Sequence, residues 1–365
     1  MPDPFADLSP TGALDPAANP FRPGMGRVPP AFGGRESALR QAKLVVDRLA
    51  RGVAPEFVLY RGVRGVGKTA LLAYVRQQAA RMGVVAAHLE ADRDDRDLAR
   101  ARDTLRHDAA DLLDGHARGP RGGSFETLLA DLRVALAGRA RGLLLTVDEV
   151  HEAGERLLEP LLRGAHRAAQ DDVPFGLLLS GLPTAAENLF DEGQTYTERL
   201  HRVDLDLLDR DGTAEAVRGP FSDAGAEVDD LVIDAVHDGS GGYPWFVQLW
   251  GESLWDVAER TDRIALPDAR AAGASVHPRT EAFFADRWRR VPTGRATELV
   301  LSLARHDGDA PVADLLADLD LTHQAIAPSR RSLLDLGIVW APARGRLAFT
   351  VPGFAGWIAR TRPDR

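Results

Sequence analysis

The residues best placed to do chemistry are Gly62-Val63-Arg64-Gly65-Val66-Gly67-Lys68-Thr69, an unbroken GxxxxGK[ST] pattern. Glycines at these positions let a loop curl so that successive backbone N–H groups face an anion, and a helix opening behind them adds its positive dipole end. Lys68 would reach the outer phosphates of ATP, and Thr69 would offer its hydroxyl to magnesium. The lysine is informative: among 45 basic side chains only Lys43 and Lys68 are lysine, so a compact ammonium is kept here in a chain that otherwise uses arginine. A metal-bound polyphosphate needs a second set of groups, and the apolar run Leu143 to Val147 ends in Asp148-Glu149. Asp148 would contact magnesium, directly or through water, and Glu149 would act as the general base that polarises the attacking water. Gly62, Val63, Arg64, Gly65, Val66, Gly67, Lys68, Thr69 and Ala70 are the expected nucleotide contacts, with Thr69 and Asp148 on the metal.

The elements that must position these groups follow from periodicity. Apolar residues Leu39, Ala42, Val45, Val46 and Leu49 recur at helical spacing, and Phe57 to Tyr60 reads as a short buried strand entering the glycine loop. A helix is expected from Thr69 to about Met82, then a strand over Val84 to Leu89, a charged helix to about Leu113, and a helix from Ser124 to Ala137. Leu143 to Val147 reads as a strand, Glu152 to Ala169 as a helix, and Phe175 to Ser180 and Leu200 to Leu205 as strands. This alternation predicts a parallel sheet covered by helices on both faces, with the acids at the carboxyl end of a strand, where such sheets bind ligands. Beyond Leu208 the strand signal vanishes, and residues 211–288 read as helical, broken at Gly219-Pro220, at Gly239 to Pro244 and at Pro267. The predicted organisation is a proline-rich disordered leader over 1–31, a base domain over 32–208, an all-α lid over 209–290 and a C-terminal unit over 291–365.

Composition narrows the function classes. Hydrophobic residues make up 44% and charged residues 27% of the 365, which places the chain among globular proteins. With no cysteine there is no disulfide framework and no thiolate nucleophile, and the ten histidines lack ligand-like spacing, so no structural metal is expected. No apolar run approaches the ~18 residues that span a bilayer and no signal pattern opens the chain, which reads as cytoplasmic with no membrane association.

The net charge of −9 disfavours indiscriminate binding to nucleic acid, but the charge is uneven. Residues 291–320 carry two basic and six acidic side chains, whereas 321–365 carry seven and two. The last unit reads as three helices followed by two short strands around Ala341 to Gly345, the order of a winged helix, with Thr322 to Gly337 as its third helix. Leu333, Leu334 and Leu336 would be core, His323, Gln324, Ser329, Arg330 and Arg331 would face outward, and Pro328 would break the helix. The basic surface falls on helix and wing, where duplex DNA contacts would lie, and a protein dock remains the alternative. Trp245, Trp250 and Trp255, five apart, do not share one helical face and read as packing.

Gly33-Gly34-Arg35-Glu36 before a helix, then the phosphate loop, then Asp148-Glu149, resembles AAA+ ATPases of the origin-recognition-like and STAND-like branches. The runs Gly241 to Gln248 and Ala348 to Pro352 are similar to a widespread bacterial group of ATP-binding AAA+ proteins, and the resemblance covers about Gly33 to Arg360. It implies a P-loop NTPase fold in which Arg35, Tyr243 and Pro244 lie at the nucleotide, the last two in a GxP motif of the lid. It further implies Ser180 as a polar sensor of the γ-phosphate and Arg199 as an arginine finger, supplied to or received from a protein partner or homo-oligomer. The expected activity is ATP hydrolysis by a nucleotide-dependent switch coupled to DNA or protein through the winged helix. The alternatives are a DNA-binding regulator with structural nucleotide and a STAND-type signalling switch.

Overall fold

The computed structural model describes residues 13–24, 26–91, 97–109, 125–136, 142–153, 155–183 and 200–362. Five parallel strands, β1 (Val58–Arg61), β2 (Val85–Glu90), β3 (Leu143–Asp148), β4 (Phe175–Gly181) and β5 (His201–Asp204), form one sheet in the order β2-β3-β4-β1-β5. β3 and β4 are buried along their whole length, as continuous apolar runs covered on both faces must be. Alternate residues serve opposite faces: Leu143, Leu145, Val147, Leu177 and Leu179 join one core, and Leu144, Leu178, Val58 and Tyr60 join the other. The first core is closed by α3 (Asp97–Asp108), α4 (Phe125–Leu136) and α5 (Glu155–Gln170), the second by α1 (Glu36–Ala50) and α2 (Lys68–Arg81). The helix expected to begin at Glu152 begins at Glu155, because Glu149 stands at φ 53 and the chain first closes a turn through Glu152 N to Glu149 O.

The region after β5 contains α6 (Arg210–Asp223), α7 (Asp230–Ser240), α8 (Pro244–Val257) and α9 (Leu266–Arg289). Three expectations are corrected here. The region is not purely helical: β6 (Glu227–Val228) and β7 (Arg263–Ile264) pair in parallel, each too short to leave a period in the sequence. Gly219-Pro220 does not break α6, which runs through Pro220 with the ring buried. The leader is not disordered throughout, since residues 13–24 pack across this layer. Asp15 caps a short 3-10 helix over Pro16–Ala18, Trp255 Nε1 donates to Asp15 O at 2.9 Å, and Leu14 and Phe21 enter the buried cluster. Phe21 occupies the space that a Cβ on Gly251 would need, 2.3 Å from its ring.

The last unit runs α10 (Arg295–Arg305), β8 (Asp309–Pro311), α11 (Val312–Leu319), α12 (His323–Asp335), β9 (Val339–Trp340), β10 (Arg346–Phe349) and α13 (Phe354–Thr361). β8, β10 and β9 form an antiparallel sheet, so the expected three helices and two short strands are accompanied by an additional strand and a final helix. Thr322 caps α12, and the helix continues through the exposed Pro328 instead of breaking there. Leu333 is core, but Leu336 is 36% exposed, because α12 stops at Asp335 and Gly337, at φ 63, turns the chain away. Aromatic rings stitch α8 and α9 to this unit: Phe246 meets Phe284 at 5.7 Å, and Phe284 stacks on Phe354 at 5.8 Å. Trp340 of β9 packs against the α1–α2 core of the base. No described helix is long and apolar enough to cross a membrane.

Candidate functional site

The loop after β1 leads directly into α2, and Gly67, at φ 99, is the residue that caps the helix. A Cβ on Gly67 would meet nothing within 4 Å, so glycine is required there for its backbone angle and not for space. Gly65, at φ 87, answers to both demands, since a Cβ would lie 1.7 Å from Tyr243 Oη. Val63 and Val66 turn their side chains into the core beneath, leaving only their backbone to face a ligand.

Lys68 is 4% exposed, and its ammonium donates to Gly62 O at 2.9 Å and Val63 O at 3.0 Å. Burial lowers its pKa, while Glu149 and Asp148 act in the opposite sense. Thr69 Oγ1 donates to Asp148 Oδ2 at 2.6 Å, and Asp148 Oδ1 accepts from Glu149 N at 2.9 Å and from the Ser180 hydroxyl. Strand order explains the convergence: β4 lies between β1 and β3, and Tyr60 is in register with Ser180 while Val147 is in register with Leu179. Three separate segments thus deliver Thr69, Asp148 and Ser180 to one point. A threonine hydroxyl and a carboxylate so close together form the oxygen-only donor set that suits magnesium, which takes few protein ligands and completes its shell with phosphate and water.

Glu149 projects from the strand end with its carboxyl pKa raised by burial, against the opposing pull of Lys68. His151 Nε2 lies 3.2 Å from its Oε2 and 3.5 Å from Glu152 Oε1. The expected site residues divide as follows. Lys68, Thr69, Asp148, Glu149 and Ser180 are brought together, and Ala70 sits in the first turn of α2. Ser180 bonds to Asp148, so its immediate partner is that carboxylate. Arg35 is a brace behind the loop: its guanidinium donates to Gly34 O at 3.2 Å, Val66 O at 3.2 Å and Asp206 O at 2.5 Å. Tyr243 reaches the loop, its hydroxyl donating to Arg64 O at 3.3 Å, and Pro244 opens α8 at its first turn. Arg199 lies outside the described residues. Sequence reading missed His151, Glu152 and Arg76, whose Nη1 donates to Thr146 Oγ1 at 3.3 Å behind Asp148. For His151 the available signal was its place two residues after Glu149; nothing local marked the others.

Residues 54–190, which contain the phosphate loop, Asp148, Glu149 and Ser180, match the family model of an AAA domain. Residues 281–358 match that of a domain of unknown function, DUF8462. The whole architecture is similar to ORC2 of Aeropyrum pernix, solved as ADPNP and ADP complexes, at 15% identity and a TM-score of 0.59 over 93% of this chain and 96% of that one. It is similar also to a Walker-type ATPase of Pyrococcus abyssi, at 13% identity and a TM-score of 0.61 over 92% and 99% of the two chains. Cdc6p of Pyrobaculum aerophilum is similar at 14% identity and a TM-score of 0.53 over 95% and 97%. No curated protein matches the chain. The fold is therefore that of a P-loop AAA+ protein, with a parallel five-stranded base and a helical C-terminal region.

Proposed function

We infer that this protein is an ATP-hydrolysing molecular switch. The observation that carries the reading is the meeting of Thr69, Asp148 and Ser180 beside Lys68 and Glu149 at the mouth of the glycine loop. Bound ATP with magnesium supplies a cleavable phosphoanhydride whose charge the metal partly neutralises. The loop amides and the first turn of α2 bind the phosphates, and Lys68 exchanges the carbonyls of Gly62 and Val63 for phosphate oxygens. Thr69 and Asp148 would hold the metal, Ser180 would keep Asp148 oriented toward it, and the Glu149 carboxylate would take the proton of the attacking water. Arg199 would complete a neighbouring site in a homo-oligomer or partner complex.

The reading is tested by steady-state ATP hydrolysis with Lys68→Ala and Glu149→Gln as controls. Turnover lost in Glu149→Gln supports it, and ATP binding by Lys68→Ala as tight as by the wild type overturns it.

The output passes through residues 321–365, to duplex DNA or to a protein. Arg331 pairs with Asp335 at 3.6 Å, Arg346 with Asp309 at 2.9 Å and Arg360 with Glu281. Among the described residues of this stretch, three of the six basic side chains are thus already paired with acids, which favours a protein partner over a salt-dependent grip on phosphates. Duplex DNA added at stated salt separates the two: stimulated turnover supports DNA coupling, and indifference supports a protein switch.

A further inference from the structure

The catalytic glutamate is tied by a chain of polar groups to the end of α12. His151 has a side chain only 7% exposed, and its Nδ1 accepts from Leu182 N at 3.4 Å. A backbone amide can only donate, so in the neutral ring the proton resides on Nε2. Nε2 lies 3.2 Å from Glu149 Oε2 and 3.5 Å from Glu152 Oε1, within electrostatic reach of both carboxylates although neither pair has hydrogen-bond geometry. Glu152 Oε1 also lies 3.6 Å from Arg64 Nη2, and the same Nη2 donates to Asp335 O at 3.3 Å, the last residue of α12. The turn after α12 is shaped for this side chain: a Cβ on Gly337 would fall 2.3 Å from Arg64 Cδ.

The geometry points to a positioning relay for hydrolysis, Arg64 to Glu152 to His151 to Glu149, that is set by the seating of α12 against the phosphate loop. It rests on the ATPase reading above. With Arg64 held on Asp335, its guanidinium stands 3.6 Å from the Glu152 carboxylate and offsets that carboxylate's pull on His151, which leaves the ring nearer to Glu149 Oε2 than to Glu152. When α12 shifts, Arg64 leaves Glu152, and Glu152 competes with Glu149 for the single N–H. The position of the C-terminal unit is thereby read as the rate of the chemical step more than as affinity for nucleotide. Leu182 follows the strand whose Ser180 holds Asp148, so one strand end fixes both acids of the site.

The test is a cycle on the full chain with His151→Ala, His151→Gln, Arg64→Met and Arg64→Met/His151→Ala. It reads kcat and KM for ATP, with binding of a fluorescent ADP as the check on folding. Loss of positioning is a fraction of the ~10²- to 10⁴-fold that a general base contributes, so kcat of His151→Ala should fall about tenfold with KM within about twofold. His151→Gln, whose amide N–H reaches the same point, should recover most of it, which a merely structural role would not. Arg64→Met should lower kcat about threefold, and the double variant should fall no further than His151→Ala, because the link is already cut. A wild-type rate in His151→Ala, or a double variant whose losses multiply, overturns the relay. Absence of Glu149-dependent turnover in the wild type overturns instead the ATPase reading beneath it.

Discussion

Ser180→Ala removes a hydroxyl that is 0% exposed and donates to the buried carboxylate of Asp148. Water cannot replace it without entering a closed strand end, so Asp148 keeps Thr69 Oγ1 and Glu149 N and loses one of three donors. A hydrogen bond to a charged group contributes about 1.5–3 kcal/mol, and at about 2–4 °C per kcal/mol for a unit of this size the melting temperature of the base should fall about 3–12 °C. The six tryptophans, Trp245, Trp250, Trp255, Trp288, Trp340 and Trp357, all lie after the base in sequence, and Trp340 packs on its α1–α2 core, so calorimetry reads the base more directly than tryptophan fluorescence does. With magnesium and ADP present the difference should narrow, since the metal then compensates the carboxylate. An unchanged melting temperature without ligand would refute the view that Ser180 stabilises Asp148 and would leave it a role toward phosphate alone.

Gly65→Ala should weaken ADP binding at least tenfold, because the left-handed backbone costs about 1–2 kcal/mol and the new Cβ meets Tyr243 Oη; titration with fluorescent ADP measures it. Phe21→Ala should destabilise the helical layer by about 3–5 kcal/mol and expose residues 13–24 to limited proteolysis, since the ring fills the notch at Gly251. The Asp318 carboxyl is held below its ordinary value of 3.8, first by the Ser302 hydroxyl and next by His306. A depressed carboxyl stabilises the fold above its unfolded pKa and loses that contribution as pH falls through the folded one. Asp318→Asn should therefore melt below the wild type at neutral pH, with the two converging in acid. Burial raises the Glu149 carboxyl, so the acidic limb of the turnover profile should lie above the ordinary value of 4.5, with the rate falling as the base is protonated.

Local chemistry made much of the site readable in advance. Left-handed angles at Gly65 and Gly67 admit little but glycine, and a chain nearly devoid of lysine spends one at Lys68. Leu143 to Val147 is apolar but for the hydrogen-bonded Thr146 because both faces of β3 are covered, so the run announced its burial and placed Asp148 and Glu149 at its open end. These features are short-range constraints on backbone angle, charge type and burial, and each is written within a few adjacent residues.

Other features depend on which distant segments meet. The donors of Asp148 come from the start of α2 and the end of β4, and Arg64 reaches Asp335 across 271 positions. Arg35 proved a brace because three carbonyls from separate segments surround its guanidinium, and Pro220 and Pro328 are tolerated in helices whose remaining bonds and packing outweigh one missing N–H. Leu14 and Phe21 are two isolated apolar residues among prolines, with no period of their own, and contacts from distant residues order that segment, among them the notch at Gly251, the indole of Trp255 on Asp15 O and the Asn19 amide on Glu252 O and Asp256. Residue types along the chain therefore determine the loop and the side-chain chemistry of the proposed phosphate and metal site, through angles and charges that act locally. Where Glu149 points, and what the C-terminal unit holds in place, is decided by side chains that become neighbours only when sheet order and helix packing bring them within hydrogen-bond reach.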